Sequence, residues 1–144
     1  MAVRAIRGAT QVDADDREEI LAATRELVST VMERNDLHSD DVISILFTAT
    51  PDLVSEFPAL AARELGMGDV PLMCATEIDV PHALPRVLRL MAHVETARPR
   101  AEAGRDATRD GRLPGARGTV EGHLPGEPAA HWAMSRRRAV APRR

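Results

Sequence analysis

The strongest periodic signal in the chain lies over residues 16–34. Ile20, Leu21, Thr24, Leu27, Val28, Val31 and Met32 recur at the spacing of one helical face. A helix with one buried side is predicted there. Asp15 and Glu18 offer a capping pair, and Asp16, Glu18 and Glu19 supply negative charge where the helix dipole favours it. Asn35 is the predicted stop. Over residues 2–12, Val3, Ile6 and Val12 are separated by Arg4, Arg7 and Thr10, which predicts a strand. Gly8 interrupts it and suggests a bulge or a close backbone approach. Residues 42–49 (VISILFTA) predict a buried strand that ends at Thr50-Pro51-Asp52. A short helix is predicted over 58–65, with Pro58 in its first turn and Gly66 as its stop. Val70-Pro71-Leu72-Met73 predicts a short strand, which Pro71 confines to an edge or a strand start. Residues 74–84 read as a loop. Residues 86–96 (RVLRLMAHVET) fit a helix through Val87, Leu88, Leu90, Met91 and Val94, and equally fit an alternating strand.

The element order is β-α-β-α-β followed by a strand or a helix. That is an α+β layer architecture in which one long helix covers a sheet. A sheet of this size on about one hundred residues leaves surface to cover, and oligomerisation is a natural way to cover it.

Charge divides the 144 residues into two parts. Residues 1–96 hold eight Arg and seventeen acids, whereas residues 97–144 hold eleven Arg and five acids. The second part also has five of the ten Pro and six of the nine Gly. Its larger apolar residues (Leu113, Val120, Leu124, Trp132, Met134 and Val140) follow no period. Such a segment buries too little apolar surface to offset its chain entropy. The expectation is a folded unit over 1–97 and a basic, disordered tail over 98–144.

Composition removes several chemistries. All nineteen basic residues are Arg, so lysine Schiff-base and Walker-lysine mechanisms are excluded. There is no Tyr, and the one Cys, Cys74, allows neither an internal disulfide nor a cysteine-clustered metal site. No apolar run reaches the roughly 18 residues of a membrane span, and the N-terminus lacks the apolar core of a signal peptide. A cytoplasmic protein with no membrane partner is expected.

The candidate site residues are mostly arginines. Arg7 and Arg89 each interrupt an apolar run. Each is either an arginine reaching to water or an anion clamp, whose planar fork binds a carboxylate through two hydrogen bonds. Arg86 competes with Arg89 but stands at the element's start. Glu77 reads as a loop acid or a site acid, and Cys74 as a small buried hydrophobe or a site thiol. Glu77, Asp79 and His82 match no established metal spacing, so no metal is expected. Phe47 belongs to the core, Phe57 could cap a pocket, and Arg63 on the short helix is a surface or site arginine. Arg136-Arg137-Arg138 and Arg143-Arg144 accompany no nucleic-acid fold signature, so no nucleic-acid partner is expected. Several arginines, one glutamate and no evident nucleophile suit a small dianion and catalysis by positioning and electrostatics.

The order of motifs resembles the trimeric, α+β-barrel class of chorismate mutase. Val3-Arg4-Ala5-Ile6-Arg7-Gly8-Ala9-Thr10 is similar to that family's opening RGIRGAT. The likeness continues through Glu18-Glu19-Ile20, Thr48-Ala49-Thr50-Pro51-Asp52-Leu53, Phe57-Pro58-Ala59, Ala62-Arg63, Cys74, Glu77, Asp79-Val80 and Leu88-Arg89. The resemblance implies a mixed sheet packed on the long helix, with 86–96 as a strand, in a pseudo α/β-barrel homotrimer with active sites at subunit interfaces. It implies cofactor-free conversion of chorismate to prephenate. It gives Arg89 the developing charge on the ether oxygen, Arg7 a substrate carboxylate, and Glu77 the ring hydroxyl. Phe57, Arg63, Cys74, Ala59 and Met73 become substrate-binding residues, with Phe57 and Arg63 reaching in from the neighbouring subunit. The alternative is a non-catalytic trimeric protein that binds a dicarboxylate.

Two departures stand out. Similar enzymes continue with a strand of the form HVYLxxAxxLRPDL, whose tyrosine holds a substrate carboxylate, and residues 97–144 do not resemble it. Leu60 stands where lysine is frequent. Residues 111–121, decoded one base later from GC-rich codons, can spell such a strand, so a shifted reading frame is one account of the tail that the coding DNA decides.

Overall fold

A computed structural model describes residues 1–99. The expected tail, its arginine clusters and the frame-shift segment lie outside the described residues. Four strands and two helices follow in the order β1 (Ala2–Gln11), α1 (Arg17–Arg34), β2 (Val42–Ala49), α2 (Pro58–Glu64), β3 (Leu72–Thr76) and β4 (Val87–Thr96). The sheet is mixed, with strand order β1-β4-β2-β3. β4 runs antiparallel to both β1 and β2, whereas β2 and β3 are parallel and joined through α2.

The α+β expectation holds, and residues 86–96 are a strand. Pairing decides that ambiguity, because β4 is flanked by β1 along its whole length and by β2 over residues 88–94, which satisfies its backbone groups as a strand. Two features differ from the sequence reading. The ladder of β1 on β4 runs without a break through Gly8, which faces Leu90. The irregularity falls instead between Val42 and Ser44 of β2. The capping pair is also displaced by one residue. Asp16 is the N-cap and accepts from Glu19 N–H at 3.0 Å, while the Glu19 carboxylate reaches back to Asp13 N–H. Asp15 turns outward and accepts from the N–H groups of Val54 and Ser55, each at 3.0 Å. Asn35 closes the helix as expected.

α1 and α2 cover one face of the sheet. Ile6, Leu27, Val28, Val31, Ile45, Phe47, Leu90, Ala92 and Val94 form the main core, closed at its edge by Ala59, Ala62 and Met67. A smaller cluster of Val12, Ile20, Leu53 and Leu88 sits near the start of α1. β2, predicted as a buried strand, is buried on one face only. Its ladder partners show one face in the core and the other outside, because both helices lie on the same side. Val42, Ile45 and Phe47 are buried, Leu46 and Thr48 are only half-buried, and Ile43 is exposed.

The loop after β2 is bound down by carboxylates. Asp52 accepts from Arg86 N–H and from the Thr50 hydroxyl, and Thr50 Oγ1 accepts from Val87 N–H. Arg86, the weaker arginine candidate, has φ +53° and donates through Nε to the Val12 carbonyl. It anchors the entry to β4.

Candidate active site

The uncovered face of the sheet carries the chemistry. Ladder partners share a face, so Thr48 and Arg89 stand opposite each other, as do Leu46 and Met91, and Arg7 and Met91. β3 adds Met73 beside Leu46 and Ala75 beside Thr48. Arg7 and Arg89 therefore lie on one face, on adjacent strands, two positions apart along the ladder.

Glu77 follows the end of β3, and its backbone remains held to the sheet. Its N–H donates to the Ala49 carbonyl at 2.9 Å. The expected loop thus begins only at this residue, since Cys74, Ala75 and Thr76 belong to the strand. The backbone bond sets the Glu77 side chain on the uncovered face. Arg89 Nε donates to Glu77 Oε1 at 2.7 Å, and the Thr48 hydroxyl donates to the same oxygen at 2.7 Å. The Glu77 side chain keeps 17% of its exposure and Arg89 32%. Both charges have left much of their water, and their mutual pairing offsets that loss. The result is a fixed guanidinium beside a fixed carboxylate, on a sheet face that also carries Leu46, Met73 and Met91. It can receive an anionic ligand that also presents a hydroxyl.

The remaining candidates divide by location. Arg7 is half-buried on β1, and Met73 is 65% exposed on the same face as Arg89. Cys74 faces the other way. It partners Phe47 in the ladder and packs half-buried against the main core as a free thiol. Ala59 is buried in that core, whereas Arg63 is exposed on α2. Phe57, just before α2, is 70% exposed. One chain therefore brings Arg89, Glu77 and Arg7 to the open face and leaves Phe57, Ala59 and Arg63 with the helical layer.

Thr48 is the contact that sequence reasoning misses. Its signal was the alternation within β2, where Ser44 and Thr48 break an otherwise apolar run at even spacing. The run reads as uniformly buried until the register pairs Thr48 with Arg89.

Comparisons with known proteins point to one family. Residues 3–106 match the family described as chorismate mutase type I. Chorismate mutase AroH of Thermus thermophilus is 48% identical over 98 residues, which are 67% of this chain and 80% of that protein. Chorismate mutase AroH of Bacillus subtilis (strain 168) is 45% identical over 97 residues, covering 67% of this chain and 76% of that protein. Among solved structures, chorismate mutase from Clostridium thermocellum Cth-682 has a TM-score of 0.69 and 46% sequence identity. The match covers 69% of this chain and 89% of that one.

Proposed function

Because the chain belongs to the chorismate mutase type I family, we propose that it converts chorismate to prephenate at the Arg89–Glu77 pair, a step of aromatic amino acid biosynthesis. The reaction is an intramolecular rearrangement. One ether C–O bond breaks, one C–C bond forms, and no proton or cofactor is exchanged. Its barrier responds to two things a protein can supply. The first is conformation, since the enolpyruvyl arm must lie folded over the ring and a shaped site holds it there. The second is charge. As the C–O bond breaks, negative charge gathers on the ether oxygen, and a fixed guanidinium stabilises that state more than the ground state.

Arg89 carries the second role. Glu77 accepts from the ring hydroxyl, and Arg7 holds a carboxylate. Phe57 and Arg63 are exposed in the helical layer of each chain, which suits their service to the site of a neighbouring copy in a homotrimer, whereas Ala59 is buried beneath them in the core. Met73 stands on the open face of β3, whereas Cys74, expected at the substrate, faces the core instead. We assign this activity to residues 1–97 and to the cytoplasm, on the strength of the lone thiol. No helix among the described residues is long and apolar enough to cross a membrane. The non-catalytic alternative is not favoured, because the curated relatives are named as mutases.

The observation that carries the proposal is the 2.7 Å contact of Arg89 Nε with Glu77 Oε1 on the open sheet face. Purified protein mixed with chorismate tests it through the loss of ultraviolet absorbance, with prephenate identified by acid conversion to phenylpyruvate. Turnover is expected. A folded chain that leaves chorismate at its uncatalysed rate overturns the assignment.

A further inference from the structure

We infer that Thr48 is a positioning residue for this reaction, acting through the Glu77 carboxylate. The inference rests on the function proposed above and assigns a part to a side chain on the central strand β2.

Glutamate has three side-chain torsions, and the last is broad. A single donor fixes the distance of such a carboxylate but leaves its plane free to turn. Here two donors converge on one oxygen from two different strands. Arg89 Nε comes from β4 and the Thr48 hydroxyl from β2, each 2.7 Å from Oε1. The strands are paired so that Thr48 and Arg89 are direct cross-strand neighbours. The Glu77 backbone is tied to the next residue of β2 through the Ala49 carbonyl. The carboxylate is thus held from its backbone and from two side chains. Oε2 takes part in neither of those two bonds and is the oxygen placed to accept from the substrate hydroxyl.

Thr48 also opposes a competing geometry. Arginine and carboxylate favour two parallel hydrogen bonds, fork to fork. Closing that fork draws the Glu77 carboxylate toward Arg89, and the Thr48 hydroxyl, which holds Oε1 from β2, resists that movement. Without the hydroxyl, the carboxylate turns onto Arg89. The acceptor is then withdrawn from the substrate. Threonine suits the task because its β-branched side chain is stiff in a strand, so the hydroxyl direction is set by the backbone.

Thr48→Val keeps the shape and strand preference and removes the hydroxyl. We expect kcat for chorismate to fall about tenfold, the scale of one lost hydrogen bond to a charged group, with KM little changed. Thr48→Ser restores the hydroxyl and should recover most of kcat. A merely structural role predicts the reverse order, since valine fills the site better than serine. Should Thr48→Val fail to fold, Thr48→Ala removes the same hydroxyl and is read in its place. Wild-type kcat in the variant lacking the hydroxyl, or equal loss in valine and serine variants, overturns the inference while leaving the mutase assignment intact. A crystal structure of the variant lacking the hydroxyl gives a readout independent of turnover. Glu77 turned into a two-point contact with Arg89 supports the inference, and Glu77 unmoved overturns it. If the unmodified chain does not turn over chorismate, the mutase reading is what fails, and the crystal structure still judges Thr48.

Discussion

Arg89 and Glu77 meet through Nε and Oε1 at 2.7 Å, although twelve residues and a change of strand separate them. The contact points the guanidinium at the open face of the sheet instead of into the core. Arg89→Ala should therefore remove catalysis without unfolding the protein. Loss of one donor to a developing oxyanion lowers kcat by about 10²–10³-fold. Chorismate kinetics and far-ultraviolet circular dichroism on the same preparation check this, and retained turnover overturns the role given to Arg89.

Arg89→Lys keeps the charge and should rescue only part of the loss. The guanidinium holds Glu77 through Nε and is planar, so its remaining donors keep fixed directions. An ammonium is a single point on a flexible stem and cannot fix them in one geometry. Full recovery of kcat in the lysine variant would show that charge alone suffices.

Cys74→Ser separates packing from chemistry. The thiol is half-buried against the main core beside Phe47, so a hydroxyl there costs about 1–3 kcal/mol of stability if it finds no partner. Turnover should remain substantial, because the proposed rearrangement needs no nucleophile. A folded serine variant with no activity would return covalent catalysis to consideration. The unfolding midpoint in urea and the rate with chorismate are read together.

Most of the fold was legible in the sequence where one period dominated. α1 announced itself through the spacing of Ile20, Leu27 and Val31, and each of these is buried. Only the capping pair of α1 differs, by one residue, because three acids in four positions, Asp13, Asp15 and Asp16, can all cap a helix locally. Only the position of the 52–57 loop decides that Asp15 faces Val54 and Ser55 while Asp16 caps. The open side of β2 is hidden in the sequence for a related reason. Apolar Leu46 stands on the uncovered face opposite Met91, so composition alone hides which side the helices cover. The candidate site was legible as a set of residue types and through family resemblance, not as geometry. Thr48 and Glu77 are twenty-nine residues apart, and their contact depends on the crossover through α2 and on the β2–β4 register.

Phe47 offers a test of the core independent of the site. It is 1% exposed and belongs to the main cluster, on the face of the sheet that the helices cover. Phe47→Ala removes its transfer free energy and leaves a cavity, a loss of about 3–5 kcal/mol. That is a large share of the roughly 5–15 kcal/mol by which a domain is stable. Equilibrium denaturation in urea should show the shift in midpoint, and a change below about 1 kcal/mol would contradict the placement of this ring.

Asp15 makes the stability depend on acid in a defined direction. Desolvation pushes its carboxyl upward, but hydrogen bonds from Val54 N–H and from the Ser55 side chain and N–H outweigh it. They hold the group below the ordinary 3.8. A carboxyl that ionises more readily in the folded state stabilises that state wherever it is charged in both states. Its contribution is complete above the unfolded value and is lost as pH falls through the lower, folded value. Asp15→Asn keeps an oxygen acceptor and removes the charge, so it isolates this effect. The wild-type protein should be more stable than the variant at neutral pH, and the difference should shrink below about pH 4. The same variant should speed amide exchange at Val54 and Ser55, the segment that leads to exposed Phe57. Thermal midpoints measured from pH 7 to pH 3 check the first expectation. A difference that stays constant across that range would show that the Asp15 charge does not hold the loop.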